Sequence, residues 1–536
     1  MRSFVTSLVY LLFVVPCVLA AQKFQKVKAA KPNFLLFFID DIGWGDLGAN
    51  WEPNKDVTPN LNKLSESGIR FTDFHAGASV CGPSRAALLT GRLGLRNGVN
   101  HNFNPRSVGG LPLNETTLPE VLKGNGYNTG MIGKWHLGIT KAYHPCSRGF
   151  NYYYGLPYSN DMGCVDCDAY NHPQCKKCPK QSGITNDQAI ECGNYDTALP
   201  LYENYDIIEQ PANLVELGDR YVEKATLFIQ QAKNKTQPFF LYVATAHTHV
   251  PLAYAKRFHN STSHDTRYSD TLHELDDMIG RIMTSLKDNG LYDNTITWFT
   301  GDNGPWSVKC QYGGSPGPFL GTWQYNKFGG GSTAKATTWE AGHREPTFVV
   351  WPGVIKPNTI SNALTSALDI FPTMLSLAGV GLPPYKEYDG KDIRGLLTGE
   401  YKDGHRVLFH PNSGSIEPGK IEALRYGPYK LYWSTGGIQP SCHYKFAPLL
   451  FHNPPMVFDL SKDSAESFPL TTESYPNLNE IISEATKLRE DLLDNIKKDN
   501  TSVADYTKSS SVLPCCDPTQ YYLRQDINFQ VQLPFT

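Results

Sequence analysis

The chain has 536 residues, too many for one ordinary hydrophobic core, so one large α/β domain with a smaller second domain is the natural partition. With 40% hydrophobic and 19% charged residues the composition is that of a globular protein and excludes a disordered one. A net charge of −3, with no dominant basic block, argues against a nucleic-acid partner.

In chain order, the first element is a leader. Arg2 precedes the apolar run Phe4 to Val15, and Val18-Leu19-Ala20 supplies a small-residue cleavage pattern, so residues 1–20 read as a signal peptide. No other stretch reaches about 18 apolar residues without charge, so no stable membrane span is expected. The lysines between Lys23 and Lys31 read as a solvated start to the mature chain. Four Asn-x-Ser/Thr sequons, at Asn114, Asn234, Asn260 and Asn500, agree with a secretory route and N-glycosylation.

"NFLLFFIDD", Asn33 to Asp41, is a continuous apolar run of the kind a fully buried strand requires. Helices are predicted over Thr58 to Gly68, Ser84 to Leu89 and Thr117 to Asn125, then a strand within Tyr127 to His136. A helix over Leu217 to Ala232, a strand within Pro238 to His249 and a helix over Asp265 to Asp288 follow. Strands within Asn294 to Asn303 and Pro346 to Gly353 and a closing helix over Ala367 to Gly379 complete the pattern. This alternation predicts a large, mostly parallel or mixed sheet with helices on both faces. It is expected to occupy residues 21–390 as the catalytic domain. Residues 391–536 are expected to form a smaller α+β domain: strand-like pieces such as "HRVLFH" and "YKLYWS" make an antiparallel sheet, with a polar helix, Leu478 to Lys498, against it.

Twelve cysteines become eleven once Cys17 leaves with the leader, so in an oxidising compartment one is left over. Cys164, Cys167, Cys175, Cys178 and Cys192 cluster in a pattern that superficially suits zinc. The short gap between the two CxxC pairs and the secretory route favour disulfides instead, with Cys146, Cys310, Cys442, Cys515 and Cys516 as further partners and Cys81 as the candidate left unpaired.

Four of the five apolar runs end in reactive residues: Asp40-Asp41, then Lys134 and His136, then His247 and His249, then Asp302-Asn303. Ligands of parallel α/β sheets bind beyond the carboxyl ends of the strands, so these residues are expected to meet. Asp40, Asp41, Asp302 and Asn303 would make a hard oxygen cage suited to Ca²⁺ and less readily to Mg²⁺. In "SVCGPSRAALLTGR", Pro83 suits a helix start and places Cys81 at a helix N-terminus. That position favours an anion and a lowered thiol pKa, and Arg85 one turn on is placed to hold the anion or the oxygen of a nucleophile. A buried structural cysteine fits the same grounds.

The run C-x-P-S-R-x-x-x-L-T-G-R, Cys81 to Arg92, resembles the signature of the sulfatase family. "DDIGWGDLG", "GKWHLG", "HTHVPL", "GDNGP" and "KATTWEAGHREP" extend the resemblance over nearly the whole mature chain. It implies an alkaline-phosphatase-like fold and hydrolysis of sulfate esters of the arylsulfatase type. It implies that a formylglycine-generating enzyme oxidises Cys81 to Cα-formylglycine, and that one Ca²⁺ is bound by Asp40, Asp41, the modified Cys81, Asp302 and Asn303. By the same resemblance Arg85 holds the formylglycine hydrate, and Lys134, Ser159 and Lys335 bind the sulfate. His249, two places before the proline of its motif, protonates the leaving alcohol, with His247 as the alternative, and His136 takes the proton of the second hydroxyl. The implied substrate is an aryl sulfate or a sulfated carbohydrate, such as a sugar of heparan sulfate, and the implied location the lysosome, with an extracellular alternative. The competing readings are a phosphohydrolase of the same superfamily, which would attack with Ser or Thr, and an inactive binding protein, which would have lost one of these residues. His410, in "LFHPNSG", is the C-terminal histidine nearest to a substrate role and is left out of the site.

Overall fold

Every residue from Asn33 to Ile39 is buried, and their side chains alternate between two apolar layers. Leu35, Phe37 and Ile39 enter one core, and Phe34, Leu36 and Phe38 the other. A strand buried on both faces must lie inside a sheet covered on both sides, and each such side chain contributes about 1.5–3 kcal/mol. The computed structural model describes residues 31–163, 198–233, 235–414, 418–437 and 439–514. Residues 1–20, read above as a signal peptide, Asn234, the cysteines from Cys164 to Cys192, and Cys515 and Cys516 lie outside the described residues.

The strands are, in chain order, β1 (Asn33–Ile39), β2 (Ile69–Phe71), β3 (Phe74–His75), β4 (Asn128–Gly133), β5 (Tyr152–Gly155), β6 (Leu201–Glu203), β7 (Asp206–Glu209) and β8 (Phe239–Ala244). They continue with β9 (Thr295–Gly301), β10 (Thr347–Val350), β11 (Thr359–Ser361), β12 (Thr365–Ser366), β13 (Val407–Pro411), β14 (Ile421–Tyr426), β15 (Tyr429–Thr435) and β16 (Leu450–Asp459). Ten of them form one sheet in the order β11-β2-β10-β9-β1-β8-β4-β5-β6-β7. The block β9-β1-β8-β4-β5 is parallel, whereas β10, β6 and β7 are antiparallel to their inner neighbours. The sheet is therefore mixed, and the four predicted runs with reactive ends are four adjacent parallel strands, β9, β1, β8 and β4, whose carboxyl ends share one edge.

Helices cover both faces. α1 (Cys81–Thr90) and α4 (Ile370–Leu377) pack on the layer holding Phe34 and Leu36; α2 (Leu217–Ala232) and α3 (Arg267–Asp288) pack on the layer holding Leu35 and Phe37. α1 starts three residues earlier than predicted, because Pro83 falls within the first turn, where a missing N–H costs no helical bond. The closing helix is α4 preceded by a 3₁₀ turn, Ala367–Asp369, whose start is capped by Ser366 and Asp369.

The C-terminal sheet is antiparallel, β13-β14-β15-β16, as expected. α5 (Leu478–Lys498) lays Leu478 and Ala485 on its Leu424, Leu431 and Val457. Its other face meets the large sheet through buried ions. Glu340 accepts from Arg344 Nη2 at 2.7 Å, Lys430 Nζ at 3.0 Å and Arg425 Nη1 at 3.1 Å, while Arg425 also pairs with Asp73 at 2.9 Å. Burial opposes ionisation of Glu340, but Lys430, Arg425 and Arg344 together hold its carboxyl well below the usual range. His410 is locked in this seam, its ring stacked on His343 at 4.1 Å and its Nδ1 2.5 Å from Lys430 Nζ. Removing one partner of a buried ion network leaves the rest uncompensated, at about 3–5 kcal/mol. Glu340→Ala is therefore expected to lower the urea midpoint of the full chain well below that of Glu480→Ala on the exposed face of α5, and equal midpoints would show that the seam carries no such energy.

Candidate active site

The ends of β1, β4, β8 and β9 bring Asp40, Asp41, Lys134, His136, His249, Asp302 and Asn303 to one place, and α1 adds Cys81 and Arg85. All are buried. Lys134 leaves β4 beside Gly133, whose φ of +114° and position 1.9 Å (for a notional Cβ) from the Ala244 carbonyl oxygen exclude any side chain. Asp41 and His136 both hold positive φ, +56° and +63°, an uncommon conformation for residues with side chains, of the kind that surrounding structure imposes at working sites. Asp40 is clamped by the turn after β8: its N–H donates to His247 O at 3.0 Å, and its carbonyl accepts from Thr248 N at 2.7 Å.

Three carboxylates face three cations. Lys134 Nζ lies 2.5 Å from Asp40 Oδ2, Lys335 Nζ 2.5 Å from Asp41 Oδ1, and Arg85 binds Asp302 Oδ2 through Nε at 3.1 Å and Nη2 at 2.7 Å. Burial alone would raise the Asp40 carboxyl, but Lys134, Arg85 and Lys335 bring it well below the usual range. Asp41 goes the other way, raised by burial and by Asp40 against the pull of Lys335. Asp302 is raised to about 7 by burial and Asp40 in spite of Arg85. The cations thus leave part of the negative charge uncompensated.

Cys81 sits in the middle. Its Sγ donates toward Asp40 Oδ1 at 3.4 Å and accepts from Lys335 Nζ at 3.4 Å. The expected lowering of its thiol pKa is not found: burial and the Asp40 carboxylate push the thiol well above its ordinary value, overriding Lys134 and Lys335. A helix N-terminus lowers a thiol pKa only when the thiolate is otherwise tolerated, and here it would join three buried carboxylates.

Two histidines line the cluster with fixed ring orientations. His136 Nε2 meets Phe103 O at 2.9 Å, which makes Nε2 the donor and leaves Nδ1 as a buried lone pair without a partner among the described residues. Burial, Lys134 and Arg85 keep this ring neutral. His249 Nδ1 meets Val250 O at 2.6 Å, so its Nε2 faces Ser159 Oγ at 3.2 Å and Asp41 Oδ2 at 3.5 Å. Ser159 also accepts from Lys134 Nζ at 3.1 Å. His247, the alternative, turns away to Glu274 Oε2 at 3.1 Å.

Two oxygens in the cluster are buried and without a hydrogen bond among the described residues: Asp41 Oδ2 and Asn303 Oδ1. Asn303 donates its amide to Asp41 Oδ1 at 2.7 Å and to Gly304 O at 3.0 Å, which commits the nitrogen and frees the oxygen. Ligand atoms of Asp40, Asp41, Cys81 and His249 lie within 4.8 Å of one another. Orphaned carboxylate and amide oxygens beside surplus negative charge fit a hard dication. A second grouping, His75, Glu340 and His410, belongs to the seam, where Arg425, Arg344 and Lys430 already supply the positive charge.

Trp306, Asp161 and Glu345 were absent from the expected site. Trp306 lies just past Asn303; its ring is 4.4 Å from Lys335 Nζ and 5.2 Å from the His249 ring. Glu345 is buried beneath Asp302 and Asp41, its carboxyl raised well above the usual range by burial and by those two acids. Only their nearness in sequence to the strand-end motifs signals them.

A family model named Sulfatase matches residues 32–380, well over half of the chain. The chain belongs to the sulfatase family. It is a sulfuric ester hydrolase, and a second model, the C-terminal region of aryl-sulfatase, matches residues 403–525 of this sulfatase. Among curated relatives, arylsulfatase G of Homo sapiens is 51% identical over 500 residues, covering 93% of this chain and 94% of that protein. Arylsulfatase A of Homo sapiens is 39% identical over 453 residues, covering 82% and 84%. Among solved structures, PsFucS1 sulfatase from Pseudoalteromonas sp. superposes with a TM-score of 0.75 at 26% identity, over 90% of this chain and 95% of that one. No described helix is long and apolar enough to cross a membrane.

Proposed function

We propose that this sulfatase cleaves sulfate esters at residue 81, as an aldehyde derived from Cys81, with one calcium ion held by Asp40, Asp41, Asp302 and Asn303. The observation that carries this reading is the setting of Cys81: a thiol kept protonated, 3.4 Å from both a carboxylate and a lysine, beside two orphaned oxygens. Such a thiol is a poor nucleophile, so the position calls for a different group. Oxidised to Cα-formylglycine by a formylglycine-generating enzyme, position 81 supplies as the aldehyde hydrate one hydroxyl to attack sulfur and a second whose deprotonation expels sulfate. A calcium ion held there would supply positive charge to polarise the reacting groups.

The chain's own side chains do the rest. Lys134, Lys335 and Ser159 bind the sulfate oxygens, taking the ammonium groups off Asp40 and Asp41 when the metal is present. Arg85 fixes Asp302 and faces the residue 81 side chain. His249 Nε2 gives its proton to the leaving oxygen, the incoming anion favouring the imidazolium that burial and the neighbouring lysines otherwise disfavour. The lone pair of His136 Nδ1 receives the proton of the second hydroxyl. The substrate proposed is a sulfated carbohydrate, such as a glycosaminoglycan sugar, in the lysosome or outside the cell. Asn114, Asn260 and Asn500 are exposed and open to glycosylation.

Mass spectrometry of the tryptic peptide containing residue 81, from protein passed through the secretory pathway, should show the aldehyde in place of the thiol; an unmodified thiol in active enzyme would exclude the mechanism. Cys81→Ser should stop after one turnover, because a serine ester has no second hydroxyl to expel sulfate, and sustained wild-type turnover would do the same.

His249→Ala should slow an alkyl sulfate about 10²–10⁴-fold and 4-nitrophenyl sulfate far less, since a good leaving group needs little protonation. His247→Ala should show no such dependence on the leaving group, and the reverse pattern would reassign the acid.

Chelation by EGTA should abolish turnover and added Ca²⁺ restore it. Asn303→Ala should need a higher Ca²⁺ concentration for half-maximal rate, and a rate indifferent to EGTA would remove the metal from the mechanism.

A further inference from the structure

Asp161 stands in a 3₁₀ turn, Asn160–Met162, two residues beyond Ser159. Ser159 bridges Lys134 Nζ at 3.1 Å and His249 Nε2 at 3.2 Å, so this turn flanks the sulfate pocket on the side of the leaving group. Asp161 is only 9% exposed, yet its Oδ1 has no hydrogen-bond partner among the described residues, and the same holds for Asn160 Oδ1 beside it. Burial raises the Asp161 carboxyl, while the ammonium groups of Lys335 and Lys134, a hydrogen bond from Ser159 and, last, Lys309 act against that rise. Two buried acceptors, one oxygen each of Asp161 and Asn160, are thus left open beside Ser159, a costly arrangement unless a ligand completes it.

A carboxylate cannot face the sulfate itself, because like charges repel and sulfate has no donor to offer. What it can meet is a hydrogen-bond donor on the atom next to the one that carries the sulfate. Given the sulfate pocket proposed above, the geometry points to Asp161 as a substrate-binding residue that selects esters with a hydroxyl or ammonium group on the carbon adjacent to the sulfated one. Asn160 Oδ1 is a second acceptor for the same edge. Sulfated sugars, and above all aminosugars, carry such a donor; simple aryl and alkyl sulfates do not. A site built to pair with a polar group rejects the analogue that lacks it, because the site's own buried group is then stranded.

The test compares 4-nitrophenyl sulfate with 2-hydroxy-4-nitrophenyl sulfate, which adds one hydroxyl next to the sulfated carbon and keeps the nitro group para to the sulfate. In the full-length enzyme, Asp161→Ala is expected to reduce kcat/KM for the hydroxylated ester about 10- to 100-fold more than for the plain one. Asp161→Asn, which keeps an oxygen acceptor and the side chain's shape, is expected to retain part of the preference and to fold where the alanine variant does not. An aminosugar sulfate and its deaminated counterpart give the ammonium arm of the same comparison. Equal loss on both esters in both variants would make Asp161 a charge-balancing residue only, and an unchanged ratio would remove it from recognition; either overturns the proposal. Wild-type enzyme that releases sulfate from neither ester would instead overturn the sulfate-ester mechanism on which it rests.

Discussion

The structure depends on keeping three carboxylates, Asp40, Asp41 and Asp302, together in a dry place. Removed from water, they are tolerated only because Arg85, Lys134 and Lys335 stand against them, each within hydrogen-bond distance of one acid. The compensation is incomplete, as the raised carboxyls of Asp41 and Asp302 show. That residue of negative charge gives the site its appetite for a dication. A dication that took over Asp40 and Asp41 would free the ammonium groups of Lys134 and Lys335, which pair with these acids at 2.5 Å.

Such a cluster needs a rigid frame, and the frame comes from backbone that is nearly all committed. Four parallel strands aim their ends at it, the Thr248 turn grips Asp40 on both sides, and Gly133 lets β4 run against Ala244. The seam reaches the same point from behind. Ala76 N donates to His343 O at 2.6 Å, and Ala336 N donates to Ser79 O at 2.8 Å, so the ion network around Glu340 and the lysine loop both hold the segment that leads into Cys81. His410 of the C-terminal sheet lies in this seam, against His343 and Lys430.

The central strands were legible because strands buried on both faces must be continuously apolar, and because polar residues that end such runs stand out: Asp40, Lys134, His249 and Asp302 could be picked by eye. β10 was found but not its antiparallel direction, which no local pattern encodes. β2, β5, β6, β7 and β11 are three or four residues each, too short for a period to show. Between His247 and His249 the sequence offers only motif position; the fold adds that Glu274, on α3, engages His247 Nε2. Asp161 and Glu345 escaped notice because an acid's importance here lies in what fails to pair with it, and partners are a property of the fold.

Cys81 shows where local reasoning overreached and why the correction matters for chemistry. A helix N-terminus and two lysines would each stabilise a thiolate, and the sequence offers both. Folding adds what the sequence hides, complete burial beside Asp40 and Asp302, and these decide the balance toward the neutral thiol. A thiol nucleophile would have to bring a fourth negative charge into a cluster that already carries more than it can compensate. An aldehyde brings none, and its hydrate stays neutral until a proton leaves it, for which the buried lone pair of His136 Nδ1 is an acceptor in place. The electrostatics that disqualify cysteine as the reacting group are the ones that make a neutral, hydratable carbonyl suitable at the same position.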